Sequence, residues 1–158
     1  MTDIPYPLEI RPIVPGDEEQ INTFFETMVG ESRALFNRHS GNQNAVLDFC
    51  QTQNTDRRQY WMALLDGQMA GLVFLWDLHT SIPWLGIAVR EDLRGKHLGR
   101  TLISFAQEYV RSHGKGGIQL TTHPANLRGQ SLYETMGFTR LGTYGASGEW
   151  YYLFRFQD

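Results

Sequence analysis

The sequence has one cysteine, no long apolar run and no dense stretch of basic residues. Cys50 has no second thiol to pair with, so an intramolecular disulfide and a cysteine-based zinc site are both excluded. The five histidines, His39, His79, His97, His113 and His123, show no His-x-x-x-His pairing, and no metal site is expected. The longest apolar stretch, around Gly71-Leu72-Val73-Phe74-Leu75-Trp76, falls far short of the ~20 residues that span a bilayer and reads as a strand. Met1 to Pro7 has neither the basic nor the apolar segment of a signal peptide, so the expectation is a cytoplasmic protein away from membranes. General nucleic-acid binding is not expected either, because the pI is near 5.9 and no Lys/Arg run is present to neutralise phosphates.

What is present is a folded composition. Of the 158 residues, 41% are hydrophobic and 20% charged, which suits one domain over residues 1–158 with one real core. The net charge of -3 hides a division: residues 1–79 carry 5 Lys/Arg against 11 Asp/Glu, and residues 80–158 carry 9 against 6. An acidic first half and a basic second half suggest two ligands of opposite sign.

Leu8–Arg11 reads as a first strand, closed by prolines. Asp17 is placed to cap a helix, with Gln20 set to reach back. In that helix Ile21, Phe24, Phe25, Met28 and Val29 share one apolar face. A polar segment, Gly30 to Asn44, precedes a second helix near Ala45–Thr52. Tyr60–Leu65 and Met69–Trp76 flank Asp66-Gly67, a strong hairpin signal. A β-rich run at Ile82–Val89 leads to a helix carrying Leu98, Leu102, Ile103, Ala106, Tyr109 and Val110 at helical spacing. Ile118–Thr122 is a strand, Asn126 caps a helix to about Met136, and Phe138–Tyr144 and Trp150–Phe156 form a closing hairpin. The order β-α-α-β-β-β-α-β-α-β-β defines a mixed-sheet α/β domain.

Two segments carry chemistry. Arg94-Gly95-Lys96-His97-Leu98-Gly99-Arg100 enters a helix through glycines, so backbone N–H groups at the positive end of the helix dipole are available to phosphate. Two glycines equally permit a tight turn and close helix packing. Downstream, Asn126 precedes Leu132-Tyr133-Glu134-Thr135-Met136-Gly137-Phe138. Together, in this order and context, the two segments resemble the GNAT superfamily of N-acetyltransferases. Its phosphate turn has the form Arg/Gln-x-x-Gly-x-Gly/Ala, followed by Asn and then Leu-Tyr-x-x-x-Gly-Phe. The chain departs from the pattern at His97, where the family has glycine, and at Gly129-Gln130, where it has Ala-Ile.

The resemblance implies a GNAT-like, mostly antiparallel mixed sheet splayed between strands 4 and 5, with acetyl-CoA as cosubstrate. It places the pantetheine arm against the backbone of Ile87, Ala88 and Val89, and the pyrophosphate on Arg94, Gly95, Lys96, His97, Leu98, Gly99 and Arg100. Asn126 and Tyr133 complete the cofactor side. Tyr133 is the implied acid for the leaving thiolate; helix packing beside Leu132 and Met136 is the plainer alternative. No carboxylate lies between Ser81 and Val89, so His123, Glu26, Glu31 or a water chain is left to deprotonate the amine. A regulatory module that binds acyl-CoA without transfer, and a general nucleotide-phosphate binder, are competing functions. Family members often pair, leaving a homodimer open. Cys50, beside Val46, Leu47 and Phe49, reads as a buried inert thiol. Trp84 and Trp150 sit beside elements that shape acceptor choice in such proteins.

Overall fold

The computed structural model describes residues 8–28, 42–93 and 97–156. Its elements are β1 (Leu8–Pro12), α1 (Glu18–Glu26), α2 (Gln43–Thr52), β2 (Arg58–Leu65), β3 (Gln68–Trp76), β4 (Trp84–Val89), α3 (Leu98–Ser112), β5 (Gly117–Thr122), α4 (Leu127–Thr135), β6 (Thr139–Tyr144) and β7 (Glu149–Arg155). The strands form one sheet in the order β1-β2-β3-β4-β5-β7-β6. Every neighbouring pair is antiparallel except β4 and β5, which run parallel and share a single register pair, Trp84 with Gln119.

Alternation along the strands sends side chains to two cores. On one face, Phe24 and Phe25 of α1 and Phe49 of α2 are each at most 1% exposed, packed with Tyr60, Met62, Leu72 and Phe74. Burial of each such ring contributes about 2–3 kcal/mol. On the other face, Leu98, Leu102, Ile103, Ala106 and Val110 of α3 cover Val73, Leu85, Ile118 and Leu120.

The entry to α1 differs from expectation. Asp17 makes no side-chain cap; its carboxylate takes two N–H groups of the Arg11 guanidinium at 2.9 Å each and the Val14 N–H at 2.8 Å. The Arg11 hydrogen bonds hold the Asp17 carboxyl below the usual range despite its burial. Gln20 does not reach back. It crosses to the β2–β3 turn, donating to Gly67 O at 2.7 Å and accepting from Met69 N at 3.0 Å. That turn is tight, with positive φ at Asp66 (54°) and Gly67 (80°).

Strand β4 starts at Trp84 rather than Ile82. Pro83 has no N–H to give a ladder, and Gln119 fastens this entry from its side chain to Ile82 O and from its backbone to Pro83 O. Helix α1 stops at Glu26, so Met28 is buried from the segment that follows it rather than as part of the helical face; Val29 lies outside the described residues. Among the described residues no helix is long and apolar enough to cross a membrane.

Candidate active site

The single β4–β5 register pair joins the first residue of β4 to the third of β5, and the C-terminal ends of the two strands have no register pair beyond it. Gln119 N donates to Pro83 O on the β5 side, and Arg90 N donates to Ala70 O on the β3 side. Strand alternation between these points turns the backbone groups of Ile87 and Val89 toward the gap. A cleft of about 510 Å³ opens there.

Helix α3 meets the same cleft with its N-terminus. Its first turn-closing bond runs from Thr101 N to His97 O at 3.2 Å. The N–H groups of Leu98, Gly99 and Arg100 therefore have no intrahelical acceptor, which makes this end attractive to anions. His97 turns the chain into α3 with φ 65°, the left-handed region where the family's glycine is at ease. A Cβ on Gly99 would lie 2.7 Å from Leu132 Cδ2, so the absent side chain lets α3 approach α4.

The opposite wall is α4. Asn126 caps it, accepting from Gly129 N at 3.1 Å, while its Nδ2 donates to Thr122 Oγ1 at 2.9 Å. Arg128, Ser131, Leu132 and Thr135 follow at i, i+3, i+4 and i+7, one face of the helix, and all four line the cleft. Tyr133 lines it too, at 8% exposure. Its ring packs against Phe138 and Tyr152, with centroids at 6.0 and 5.8 Å. Burial, and secondarily Tyr152, push its phenol up to about 12. Its hydroxyl has no hydrogen-bond partner among the described residues.

Of the expected site residues, Ile87, Ala88, Val89, His97, Leu98, Gly99, Arg100, Asn126 and Tyr133 border this one cleft. Arg94, Gly95 and Lys96 lie outside the described residues, as does Glu31. The structure does not bring His123 or Glu26 to the cleft. Glu26 is exposed on α1, and His123 Nδ1 accepts from Ala125 N at 3.0 Å, forming the turn after β5. A neutral imidazole so bonded carries its proton on Nε2. Leu93, Arg128, Gly129, Ser131, Leu132 and Thr135 join the lining unanticipated. The α4 members had a readable signal, the helical spacing from Arg128 to Thr135. Leu93 had none. Among the described residues the lining holds the cations Arg100 and Arg128 and no carboxylate.

Cys50 is fully buried away from this site. Its thiol donates to Val14 O at 3.2 Å and is pushed up to about 11 by burial. Trp84 meets Tyr144 and Tyr151 at 5.2 and 6.1 Å, and Trp150 carries the Arg140 guanidinium at 4.6 Å. No group of three or more metal-ligating side chains occurs among the described residues.

A sequence profile of the Acetyltransferase (GNAT) family matches residues 23–138. The chain belongs to this family. The fold of this GNAT chain is similar to that of the PaiA N-acetyltransferase from Thermoplasma acidophilum solved with coenzyme A. The TM-score is 0.78 at 20% identity, covering 96% of this chain and 100% of that one. The GNAT domain of S. lividans PAT gives a TM-score of 0.80 at 18% identity, covering 94% and 90%. The N-acetylaspartate synthetase of Mus musculus is 27% identical over 85 residues, 52% of this chain. That alignment spans only 28% of the mouse protein.

Proposed function

We propose that this GNAT chain transfers an acetyl group from acetyl-CoA to a primary amine by direct attack through a tetrahedral intermediate, with residues 1–158 as one catalytic domain. The observation that carries the reading is the open edge of β4 beside the unpaired amides of α3 and the unpartnered hydroxyl of Tyr133. Family membership and the coenzyme A bound in the Thermoplasma structure support it.

The residues fit such a cosubstrate. The α3 amides and Arg100 suit its pyrophosphate, together with Arg94, Gly95 and Lys96 just before them in the sequence. The backbone groups of Ile87 and Val89 suit the amides of its pantetheine arm, whereas those of Ala88 turn toward β3, and Leu93, Leu98 and Leu132 give it apolar walls. An N–H near Val89 would stabilise the oxyanion that forms when the amine nitrogen attacks the thioester carbon. Collapse of that intermediate breaks the C–S bond, and the Tyr133 proton passes to the departing sulfur. A phenol held near 12 retains its proton at neutral pH.

Proton removal from the amine falls to Glu31 or a water chain, since Glu26 does not line the cleft. His123 is the weaker choice, because accepting a proton at Nδ1 would break the turn it forms with Ala125. The acceptor is a cationic amine, a class motivated by the acidic first half of the chain. A regulatory acyl-CoA binder is the second reading, favoured by the lack of a carboxylate in the described lining.

The test is calorimetric titration with acetyl-CoA, followed by an amine panel assayed for free thiol. Saturable binding and thiol release above background hydrolysis are expected. Absence of binding overturns the family chemistry for this chain, and binding with no release on any amine assigns it to the regulatory reading.

A further inference from the structure

Arg128 is not part of the phosphate turn, yet it lines the same cleft as Arg100 from the opposite helix. Both are exposed, and neither guanidinium has an ion-pair or hydrogen-bond partner among the described residues. Five of the other described arginines are engaged: Arg11, Arg58 and Arg90 pair with carboxylates, and Arg111 and Arg140 sit over aromatic rings, while the exposed Arg57 and Arg155 lie outside the cleft lining. Two unpaired cations lining one cleft from different helices, with no carboxylate in its described lining, form a site for more negative charge than one phosphate group carries.

The helix contact fixes how the two are spaced. Leu132 sits against Gly99 at the start of α3. Arg128 lies four residues earlier on the same face of α4, so its Cα is displaced about 6 Å along the helix from that contact. An anion held by the α3 amides is thus not the one that Arg128 is best placed to meet. Its planar fork of donors suits a terminal phosphate monoester, which offers several oxygens to a bidentate contact.

We propose that Arg128 is a specificity-determining residue that holds a second phosphate, the ribose 3′-phosphate of coenzyme A, while Arg100 and the α3 amides hold the diphosphate. The assignment rests on the acetyl-CoA reading above. It makes this side chain the point at which the protein distinguishes coenzyme A from the same molecule lacking its 3′-phosphate.

Equilibrium titrations with coenzyme A and dephospho-coenzyme A test it without any acceptor. The unaltered protein is expected to bind coenzyme A about tenfold more tightly. Arg128→Ala abolishes that difference by weakening coenzyme A alone, and Arg128→Lys restores part of it. Arg100→Ala weakens both ligands. Because Arg128 is exposed and unpaired, its replacement leaves the fold intact, which the melting temperature verifies. Equal binding of the two ligands by the unaltered protein, or an equal loss on both in Arg128→Ala, overturns the assignment and leaves the acetyl-CoA reading standing. If neither ligand binds the unaltered protein, both fall together.

Discussion

Tyr133 concentrates two physical facts in one side chain. Its ring is a core element between Phe138 and Tyr152, and its hydroxyl is a buried polar group without a partner among the described residues. An unsatisfied buried hydroxyl costs free energy, so the group is better explained by an occupant of the cleft than by folding. Tyr133→Phe keeps the ring and removes only the acid. Steady-state kinetics are expected to show kcat lowered about 10²–10⁴-fold, with the KM for acetyl-CoA within about threefold and the melting temperature unchanged or slightly raised. A kcat within twofold of the original would assign Tyr133 to packing alone. Helical spacing by itself left both roles open. What separates them is the pairing state of one oxygen, which no pattern of residue types reports.

Among the elements, α1 shows best what sequence spacing reveals and what it hides. The apolar face of Ile21, Phe24 and Phe25 was plain from periodicity, and those side chains are buried. The hydrogen bonds of Asp17 and Gln20 were not, since their partners, Arg11 and the β2–β3 turn, come together only through the fold. Asp17 ties β1 to α1, and Asp17→Ala is expected to cost about 2 kcal/mol in urea denaturation, a value moderated by the partial exposure of Arg11. The pH dependence follows from the lowered carboxyl. A depressed folded value means stability is fully present above the ordinary aspartate range near 3.9 and is lost as pH falls through the folded value. Acid titration of the urea midpoint should therefore show a drop below about pH 4 that Asp17→Ala flattens. The cap of α4 was more legible, because Asn126 bonds an N–H group three residues on; the matching cap of α2, Asn42, sat unread in the polar segment before it. The extent of the β4–β5 gap was not legible from the residues. It depends on where two strands stop pairing, and a parallel ladder leaves no local signature of that point; only the family resemblance implied it.

At the scale of the whole molecule, the core is built around groups that resist ionisation. Tyr133 and Tyr152 are each pushed from 10.0 up to about 12, with burial the first cause of both shifts and the hydrogen bond to Glu134 adding to that of Tyr152. Cys50 is pushed from 9.0 up to about 11. A raised folded value means the folded state holds its proton longer than the unfolded chain. The associated stability is complete below the unfolded value and is lost as pH rises through the folded one. Each group contributes a slope of about 1.4 kcal/mol per pH unit while the two states differ. Denaturation midpoints should thus decline from about pH 9 to pH 12, and Tyr133→Phe should make that decline shallower. A flat profile over this range would show these groups to be solvated in the folded state.

The gap between β4 and β5 can also be viewed as a linkage between folding and binding. The backbone groups of Ile87 and Val89 that face it are the missing part of a ladder, present in the sheet but without a neighbouring strand. Any occupant that hydrogen-bonds them binds the folded chain and not the unfolded one. At a hundredfold excess over its dissociation constant it adds about 2.7 kcal/mol to the free energy of unfolding. The sheet thus reaches its full stability only with something lying in the gap.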